Sequence, residues 1–488
     1  MEFHDLRQWL TAVARDGELK RIRGVSHNLE MAAITDIVYH EARQSAPALL
    51  FEDIPGYPDH RSLFGMLSSP RRVARALRLP LRTSSTRLEL VRAWKDRAQS
   101  IKLTPPVSVR SGPILDNVMT GSKIDLSIFP SPQVHELDGG RYFATDHAVI
   151  TRDLNSDWIN LGTYRCMLVD RRRLALHMLE NQHGRIIYQE YQARRRPMPV
   201  AIAIGMEPGL HFAAGIRVPQ GISEYDFTGG ILGRPVTVIK GAFTGLPLPA
   251  TAEIVVEGEC LPGELTDEGP FGEWHGYYAN RGLETIPEPV VRAKAVYYRD
   301  HPILTCSSPG LPPNTNSFLF SIGRAAGVWT ALDRAGIPGV KGVWAPEELG
   351  SLLFTVISIE QRYSGHSMEA ARIALDASRG SARYIVMVDE DIDPSDLKQV
   401  MWAVATRTSP DRSITVLKDC PSTSADPAIP LSAKKRQGPL RASRAIIDAC
   451  RPYGQKAEWY PMARAGAALE NRVRRKWRTL LEELLRPG

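Results

Sequence analysis

The sequence predicts an α+β protein of three parts followed by a terminal helix, and three observations support this. The chain has 488 residues, which exceeds one ordinary hydrophobic core, so two or three domains are expected. Helical and strand-like patterns alternate up to about residue 110 and again after about residue 325, whereas short β-rich runs dominate the stretch between them. We therefore divide the chain into 1–110, 111–320, 321–460 and 461–488.

The N-terminal part should begin with an amphipathic helix, because its apolar residues recur at helical spacing. Residues 46–57, APALLFEDIPGY, predict a strand closed by a Pro-Gly turn. Residues 69–80, SPRRVARALRLP, predict a helix with a serine cap and a proline near its first position. The apolar face of the first helix consists of Phe3, Leu6, Trp9, Leu10 and Val13.

The central part reads as a β-barrel or sandwich-like domain. Its short β-rich runs, such as PVAIAIGM at 199–206 and AEIVVEGECL at 252–261, stand between glycines and prolines. One short helix is expected within it at 223–233, with Ser223 as its cap. Few longer helical periods interrupt the pattern, which favours a single β-rich domain here.

The C-terminal part alternates helices and strands, which predicts αβα layering. A buried strand over 382–393 runs into an acidic loop, VDEDID at 388–393. That loop resembles a metal site, but a solvated loop is the favoured interpretation, because hard-metal sites need convergent ligands. The expected helices are 324–336, 367–378 and 396–407.

The chain ends with a predicted long amphipathic helix over 464–485. An apolar stripe of that kind must dock on the body of the protein or on a partner subunit. The stripe consists of Leu469, Val473, Trp477, Leu480, Leu481 and Leu484.

Composition is that of an ordinary globular protein, with 43% hydrophobic and 24% charged residues. The apolar runs have the length of strands, well short of the roughly 18 residues of a membrane span. The N-terminus lacks the basic start and apolar block of a signal peptide, so we expect a cytoplasmic protein. The five cysteines are scattered without a CxxC pair, which disfavours a disulfide framework or a zinc ribbon.

The net charge is +7, and basic residues come in bursts at 170–174, 193–197, 432–444 and 471–478. Nucleic-acid binding is one interpretation of these bursts. Solvated faces are the favoured one, because acidic residues are interleaved elsewhere and no nucleic-acid fold signature occurs. A third interpretation is that one or two of the arginines hold an anionic cofactor or substrate.

Familiar catalytic and nucleotide motifs are missing from the sequence. It contains no GxxxxGK[ST], no GxGxxG after a strand and no HExxH. It also lacks the GxSxG elbow of serine hydrolases. P-loop, dinucleotide-binding Rossmann, zincin and serine hydrolase functions therefore have no support.

Three stretches instead concentrate residues that can carry chemistry. The first, 160–184, contains Asn160, Arg165 and His183; the second, GISEYDFTGG at 221–230, contains Glu224. Each of these residues alone also suits a structural role, as a turn residue, a salt-bridge partner, a loop residue or a first-turn helix acid.

The third stretch is TDEGPFGEWHGYYAN at 266–280, which holds Glu268, Glu273 and His275 around a Gly-Pro turn. Taken together, the three stretches resemble the UbiD-type decarboxylases, which use prenylated FMN. The resemblance covers essentially the whole chain, from FHDLRQWLTAVARDGELKRI and PALLFEDIPGYP to SGHS, VDEDIDPSDLKQVMWAVATRTSPDRS and IIDACRP.

The resemblance implies a prenylated flavin held through its phosphate and a divalent metal, usually Mn²⁺. Its metal ligands would be Asn160, His183 and Glu224, oxygen and nitrogen donors that suit such a metal. A neighbouring K⁺ would take backbone carbonyls near 213–216 (Ala213, Ala214 and Ile216) together with Glu224. The flavin-contacting residues implied by the family are Asn160, Thr163, Tyr164, Arg165, Gln182, His183 and Glu224, with Arg383 in place of an expected lysine near the phosphate.

The resemblance also implies the catalytic trio Arg165, Glu268 and Glu273. The substrate carboxylate leaves as CO₂ with the flavin as electron sink, and one proton must return to the carbon. Glu273 is the expected proton donor, and Arg165 should orient Glu268 and the substrate. Two nearby carboxylates push each other's pKa values apart, which helps to keep one protonated. Glu273 replaces an aspartate of ubiquinone-pathway members, and His275 is expected to play a structural or supporting role.

The implied fold has an N-terminal α/β domain, a split β-barrel carrying the flavin, a C-terminal α/β domain and a final helix in subunit contacts. The implied function is non-oxidative, reversible decarboxylation of an aromatic, heteroaromatic or α,β-unsaturated carboxylic acid. A flavin prenyltransferase would supply the cofactor, and a homodimer or homohexamer is expected. Alternatives are an FMN-dependent oxidoreductase, a non-catalytic subunit of a multi-subunit carboxylase, and a nucleic-acid binder. The expected substrate loop, 307–318, offers Asn314, Thr315 and Asn316 for hydrogen bonds and Phe318 as a stacking face.

Overall fold

The computed structural model of the protein describes residues 3–42, 46–80, 85–378, 380–436 and 438–485. Within these ranges the chain alternates helices with the strands of four β-sheets. The helices are α1 (Leu6–Arg15), α2 (Glu30–Glu41), α3 (Pro70–Ala76), α4 (Arg87–Gln99), α5 (His183–Ala193), α6 (Pro208–Gly215), α7 (Glu224–Leu232), α8 (Ser317–Arg334), α9 (His366–Ala377), α10 (Leu397–Arg407), α11 (Pro410–Ser413), α12 (Leu431–Lys434), α13 (Ala467–Lys476) and α14 (Arg478–Leu484).

The strands cluster in the first two thirds of the chain and return near its end. They are β1 (Leu19–Arg23), β2 (Ala48–Glu52), β3 (Arg61–Phe64), β4 (Val107–Ser108), β5 (Asn117–Thr120), β6 (Tyr142–Ala144), β7 (His147–Arg152), β8 (Ile159–Gly162), β9 (Cys166–Leu168), β10 (Arg173–Leu176), β11 (Met198–Ile204), β12 (Thr237–Lys240), β13 (Pro247–Pro249), β14 (Ile254–Glu268), β15 (Ile286–Tyr298), β16 (Ile303–Cys306), β17 (Val340–Trp344), β18 (Phe354–Ile359), β19 (Tyr384–Asp389), β20 (Ile414–Pro421) and β21 (Arg441–Ala449).

A curled nine-stranded sheet lies at the centre of the fold, with strand order β6-β9-β10-β15-β14-β11-β7-β8 and β5 paired to β15. Its long antiparallel pair, β14 and β15, has irregular register after Glu257 and after Cys260. Such irregularities bend a strand and increase its twist. The pair regains register at its far end, where Glu268 lies opposite Ile286, and Glu268 is thereby fixed at a strand terminus.

The N-terminal sheet has the order β1-β2-β3-β16 and is covered by α1. Leu6, Trp9 and Val13 of α1 are buried, as the spacing of apolar residues predicts. The helix predicted over 69–80 is α3, capped by Ser69, whose hydroxyl accepts the backbone N–H of Arg72. The fourth strand of this sheet, β16, comes from far along the chain and pairs with β3 in parallel, which no local pattern reveals.

The C-terminal sheet has the order β17-β18-β19-β21-β20 and carries the predicted helices α8, α9 and α10. Helix α8 begins at Ser317, earlier than the predicted residue 324, so the end of the expected substrate loop is helical. Phe318 is consequently buried and packs near Trp344, with ring centroids 6.1 Å apart. The expectation that Phe318 offers a stacking face for substrate is therefore wrong.

The acidic stretch after β19 is an ion-pair network. Asp389 is fully buried and lies 2.9 Å from Nη1 of Arg407 and 3.0 Å from Nε of Arg451. Asp391 accepts Nη2 of the same Arg407 at 2.8 Å. The expectation of a solvated loop is wrong for Asp389, and arginines rather than a metal neutralise these carboxylates.

The terminal segment forms two helices, α13 and α14, where one continuous helix over 464–485 was expected. Trp477 separates them with φ −114° and ψ 30°, outside helical geometry. Neither helix contains a buried residue in the described part of the chain. Their apolar stripe is exposed, with Leu484 69% accessible.

Within the described ranges, every helix is too short or too polar to cross a lipid bilayer.

Glu253, just before β14, connects the N-terminal helix to the central sheet. Its carboxylate is fully buried and accepts Nε and Nη2 of Arg7, each at 2.8 Å. It also accepts Nη1 of Arg299 at 3.3 Å and the backbone N–H of Ile303 at 3.1 Å. One carboxylate therefore joins α1, the end of β15 and the start of β16.

Replacing Glu253 by alanine should strip Arg299 of a buried partner and destabilise the protein by about 3–5 kcal/mol. The effect is measured as a fall in the thermal unfolding midpoint. Glu259→Ala is the matched control, because Glu259 pairs with Lys294 where both side chains are partly exposed. Such a pair contributes about 1 kcal/mol or less, so equal midpoint losses in the two variants would contradict this assignment.

Candidate active site

The three residues expected to form the catalytic trio meet in the structure. Arg165 follows β8, Glu268 ends β14, and Glu273 lies in the loop after it. The Arg165 guanidinium donates Nε to Oε1 of Glu268 at 2.8 Å and Nη2 to Oε2 at 3.0 Å. Its Nη1 donates to Oε1 of Glu273 at 2.8 Å. One guanidinium therefore binds both carboxylates, whereas the sequence led us to expect it to pair with Glu268 and to leave Glu273 alone.

The electrostatics of this trio favour an ionised Glu268. Burial acts to raise the pKa of Glu268, but the charge and hydrogen bonds of Arg165 outweigh it and hold the pKa below its usual range. Burial likewise acts to lower the pKa of Arg165, and the two carboxylates reverse that effect and raise it. Arg165 and Glu268 thus form a buried charged pair with fork-to-fork geometry.

Residues from neighbouring strands complete the surroundings of Glu268. The Tyr142 hydroxyl, from β6, donates to Oε1 of Glu268 at 2.8 Å. His177, directly after β10, places Nδ1 3.7 Å from Oε2 of Glu268 and 2.8 Å from Oε1 of Glu288 in β15. Sequence analysis missed Tyr142, His177 and Glu288, because only the strand order of the central sheet brings them together.

The aromatic residue in the Gly-Pro turn also contributes to the trio. The Phe271 ring lies under the Arg165 guanidinium, with Cζ 4.7 Å from the ring centroid. Tyr142 packs on the other side, at a centroid separation of 4.2 Å. The flat guanidinium is consequently held by two carboxylates in its plane and a ring on its face.

Asp138 anchors the loop that carries Glu273. Its Oδ1 accepts the backbone N–H of Gly272 and the hydroxyl of Tyr278, each at 3.0 Å. The approach of the two segments requires glycine, since a Cβ on Gly139 would overlap the carbonyl oxygen of Gly269. The backbone next to Glu273 is therefore fixed by a buried carboxylate and by close contact between glycines.

His135 reinforces this anchor. Its Nδ1 lies 3.7 Å from Asp138 and its Nε2 lies 3.5 Å from Asp36 of α2. Burial acts to lower the pKa of His135, but its two carboxylate neighbours outweigh burial and raise it to about 9. The ring fits between the loop containing Gly272 and the loop containing Gly310, because a Cβ on either glycine would come within 2.9 Å of it.

The residues expected to bind flavin and metal lie close to one another around Tyr164. The Tyr164 hydroxyl is 3.3 Å from Nδ2 of Asn160 and accepts the backbone N–H of Gly184 at 3.0 Å. Oε2 of Glu224, the first residue of α7, accepts the backbone N–H of Leu161 at 2.7 Å. Two hydrogen-bonded links therefore connect Asn160 and its neighbour to the starts of α5 and α7.

His183 is the first residue of α5, and its ring packs edge-on against Trp158 at 5.2 Å. Gln182, one residue earlier, accepts the backbone N–H of Leu179 at 2.7 Å. Thr163 lies in the turn between β8 and β9, beside Tyr164. These positions surround the same region of the central sheet.

The donor set fits a divalent cation. Burial raises the pKa of Glu224 to about 8, against the effect of the backbone N–H groups that bind it. A carboxylate in that environment gains from a cation, and an amide oxygen, an imidazole and a carboxylate suit a metal of the Mn²⁺ type. Clusters of three or more His, Cys, Asp or Glu are absent from the described residues, but this set relies on asparagine for its third member.

Backbone carbonyls suited to a monovalent cation lie beside Glu224. Ala213 and Ala214 belong to the last turn of α6, and Ile216 caps that helix. The last turn of a helix leaves carbonyl oxygens without intrahelical partners. Helix α6 packs against α7, where Glu224 begins.

Three further residues singled out by the sequence have other neighbours. Arg383, at the entry to β19, pairs with Asp426, and its contact with the cofactor remains a prediction. His275 is buried beside Trp274, at a ring separation of 4.9 Å, and burial lowers its pKa. Asn314 donates to the backbone oxygens of Trp274 at 2.8 Å and Gly310 at 2.9 Å, so its amide holds the loop.

Comparison with known proteins defines the class of this protein as a carboxy-lyase. The chain matches the models of the N-terminal, Rift-related and C-terminal domains of 3-octaprenyl-4-hydroxybenzoate carboxy-lyase over residues 10–92, 106–312 and 317–449. The chain belongs to the UbiD family. The pyrrole-2-carboxylic acid decarboxylase of Pseudomonas aeruginosa is 34% identical over 424 residues, 83% of this chain and 83% of that protein.

Solved structures of the same class match nearly the whole fold. The vanillic acid decarboxylase of Sedimentibacter hydroxybenzoicus, in its open form, has a TM-score of 0.84 and 27% identity over 99% of this chain and 100% of that chain. The UbiD-class enzyme HmfF of Pelotomaculum thermopropionicum, in complex with FMN, has a TM-score of 0.82 and 28% identity over 96% and 98%. An evolved dimeric form of HmfF, in complex with prenylated FMN, has a TM-score of 0.80 and 27% identity over 96% and 98%.

The His135 anchor predicts a specific pH dependence of stability. Because the folded-state pKa of about 9 exceeds the ordinary value of 6.5, the contribution of His135 is complete below pH 6.5 and is lost as the pH rises through 9. The gap in thermal midpoint between the wild type and His135→Gln should thus be largest at pH 6 and should close by pH 10.

His301 provides the control, because it is exposed and its partner Asp59 is exposed as well. His301→Gln should show a small gap at every pH. A gap for His135→Gln that stays constant from pH 6 to pH 10 would show that His135 is not charged in the folded protein.

Proposed function

We propose that this protein is a non-oxidative, reversible decarboxylase of an aromatic, heteroaromatic or α,β-unsaturated carboxylic acid, with prenylated FMN as its cofactor. The observation that carries the proposal is the buried trio in which Arg165 binds both Glu268 and Glu273. Membership of the UbiD family supplies the reaction class, and relatives named for pyrrole-2-carboxylic and vanillic acids indicate the substrate class.

Charge balance assigns the proton within the trio. One guanidinium and two ionised carboxylates carry a net charge of −1, which is costly in a buried site. A single added proton makes the trio neutral. Glu268 takes two hydrogen bonds from Arg165 and one from Tyr142, all of which favour its ionised form, so the proton belongs on Glu273.

The hydrogen bonds to Glu273 also select the oxygen that carries this proton. Arg165 donates to Oε1 at 2.8 Å, and Nδ2 of Asn280 donates to the same atom at 2.7 Å. An oxygen that accepts two such bonds is a poor site for a proton, so Oε2 is the atom from which the proton departs. Arg165 and Asn280 then stabilise the carboxylate that remains.

The reaction follows from these assignments. The bond between the substrate carbon and its carboxylate breaks, CO₂ leaves, and Glu273 delivers its proton to that carbon. Prenylated FMN, when bound, supplies the electron sink for the pair released from the broken bond. The burial of the trio excludes bulk water, and Glu273 is reprotonated from solvent after product release. In the carboxylation direction the same oxygen of Glu273 accepts the proton.

Asn160, His183 and Glu224 would hold the cofactor phosphate through Mn²⁺, with K⁺ on the carbonyls of 213–216. Thr163, Tyr164, Arg165 and Gln182 would contact the flavin, and Arg383 is carried as a further contact. A flavin prenyltransferase would supply the cofactor.

The rival functions have weaker support. An FMN-dependent oxidoreductase or a non-catalytic carboxylase subunit has no use for an acid held by two donors on one oxygen. A nucleic-acid binder would rely on the basic bursts, and its binding would fall steeply with salt.

Glu273→Gln tests the proposal most simply. The enzyme is co-expressed with a flavin prenyltransferase, and the bound cofactor is identified by mass spectrometry. Release of CO₂ is then assayed with pyrrole-2-carboxylate, vanillate and 3,4-dihydroxybenzoate. The variant should retain the cofactor and lose turnover by about 10²–10⁴-fold, the usual contribution of a positioned acid.

Glu284→Gln is the matched control, since Glu284 lies in the same loop with an exposed side chain. Its turnover should stay within about twofold of the wild type, as expected of a surface change. The proposal fails if the purified protein binds no prenylated flavin, or if Glu273→Gln decarboxylates as fast as the wild type.

The exposed stripe on α13 and α14 predicts a homo-oligomer built through the terminal helices. Exposed apolar patches of this kind mark contact surfaces. Removing 461–488 should lower the molar mass of the particle measured by light scattering to that of a smaller assembly or monomer. An unchanged molar mass would assign the stripe another role, and a homohexamer would appear as an intermediate dimer or trimer after truncation.

A further inference from the structure

A segment of the C-terminal part lies on the loop that carries the proposed acid. We call residues 422–436, between β20 and β21, the bridging segment, and residues 269–284 the catalytic loop. A Cβ on Gly282 of the catalytic loop would come within 3.3 Å of Leu431 in the bridging segment. Lys435 of the bridging segment forms an ion pair with Glu284. The two segments are therefore in contact over several residues.

Lys434 is the buried point of this contact. It is the last residue of α12 and is only 7% exposed. Its Nζ donates a hydrogen bond to the carbonyl oxygen of Ala279 in the catalytic loop. Lysines are rarely buried to this extent, because an ammonium group loses hydration there. Its place in the fold therefore calls for a specific benefit at the atom it binds.

The residue after that carbonyl links Lys434 to the acid. Ala279 is followed by Asn280, which is 7% exposed and whose Nδ2 donates to Oε1 of Glu273 at 2.7 Å. Fixing the Ala279 carbonyl fixes the peptide unit that leads into Asn280. The chain of contacts thus runs from Lys434 through the backbone to the side chain of Glu273.

The bridging segment is itself anchored to the C-terminal sheet. Asp426 pairs with Arg383 at the entry to β19. The same carboxylate accepts the hydroxyl of Ser422 at 2.8 Å and the backbone N–H of Ala428 at 2.9 Å. Lys434 therefore extends from a braced segment, and its ammonium can resist movement of the catalytic loop.

The charges around Lys434 are consistent with this role. Glu273 and Asp426 both attract its ammonium, while burial acts to lower its pKa. His275 of the catalytic loop also lies close enough to interact with it, in a site where burial disfavours a charged imidazole. Lys434 is thus a second positive group near Glu273, after Arg165.

We propose that Lys434 is a positioning residue, which holds the Ala279 carbonyl so that Asn280 keeps Oε1 of Glu273 in place. It ties the catalytic loop to the C-terminal part of the chain. The catalytic consequence rests on the proposed function of Glu273, but the contact between the two segments does not.

Hydrogen exchange of the protein without cofactor tests the contact directly. Peptides covering 273–284 are followed by mass spectrometry in the wild type, Lys434→Met, Lys434→Arg and Lys435→Met. Lys434→Met should exchange about tenfold faster in these peptides, because a charge-assisted hydrogen bond to the loop is lost. Lys434→Arg should restore part of the protection.

Lys435→Met is the matched control, since it removes a neighbouring lysine whose ion pair is exposed. Its loop peptides should exchange at nearly the wild-type rate. If Lys434→Met destabilises the whole protein, peptides of α4 and α10 will also exchange faster, and Lys434→Gln then serves as the milder variant. Protection of the loop that is unchanged in both Lys434→Met and Lys434→Gln overturns the proposal, as does an equal loss in Lys435→Met.

Kinetics of the holoenzyme with pyrrole-2-carboxylate test the consequence. Lys434→Met should lower kcat about tenfold with KM within about twofold, because the acid and not the substrate is displaced. The double variant with Asn280→Ala should lose no more than Asn280→Ala alone, since both act on Oε1 of Glu273. Additive losses would overturn the route through Asn280. If the wild type releases no CO₂ from any acid tested, the proposed function fails, whereas hydrogen exchange still decides whether Lys434 holds the loop.

Discussion

The Arg165 guanidinium, buried between two carboxylates, is the interaction on which the rest of the site depends. Its fork occupies both oxygens of Glu268 and its remaining arm reaches Glu273. A buried cation with two potential anions is neutral only when one of them carries a proton. This constraint turns an ion-pair cluster into a proton store, and it assigns different roles to two chemically identical side chains.

The architecture around the trio keeps that asymmetry in place. The strand order of the central sheet brings Tyr142 and His177 to Glu268, the carboxylate that stays ionised. Asp138 holds the backbone beside Glu273 instead, and Asn280 binds its Oε1. The environment of Glu268 is therefore built from regular strands, whereas Glu273 stands on a loop fixed at both ends, which suits a group that must transfer a proton.

Local patterns predicted those features that depend on neighbours in the sequence. The buried face of α1, the Ser69 cap of α3 and the Ser223 cap of α7 all follow from spacing and side-chain chemistry. Family resemblance predicted the trio, which spacing alone left open. Long-range pairing was beyond reach: β16 joins a sheet more than two hundred residues upstream, and Lys434 meets the catalytic loop from another part of the chain. The break at Trp477 and the burial of Phe318 escaped for a related reason, because amphipathic spacing and composition do not specify where a helix bends or begins.

The most direct measurement of the central claim is infrared spectroscopy of the carboxyl C=O stretch in protein labelled at its glutamates. The account predicts one buried protonated glutamate in the trio, whose band shifts in D₂O, is lost in Glu273→Gln and persists in Glu268→Gln. A band that disappears in Glu268→Gln but survives in Glu273→Gln would place the proton on the wrong carboxylate and contradict the account.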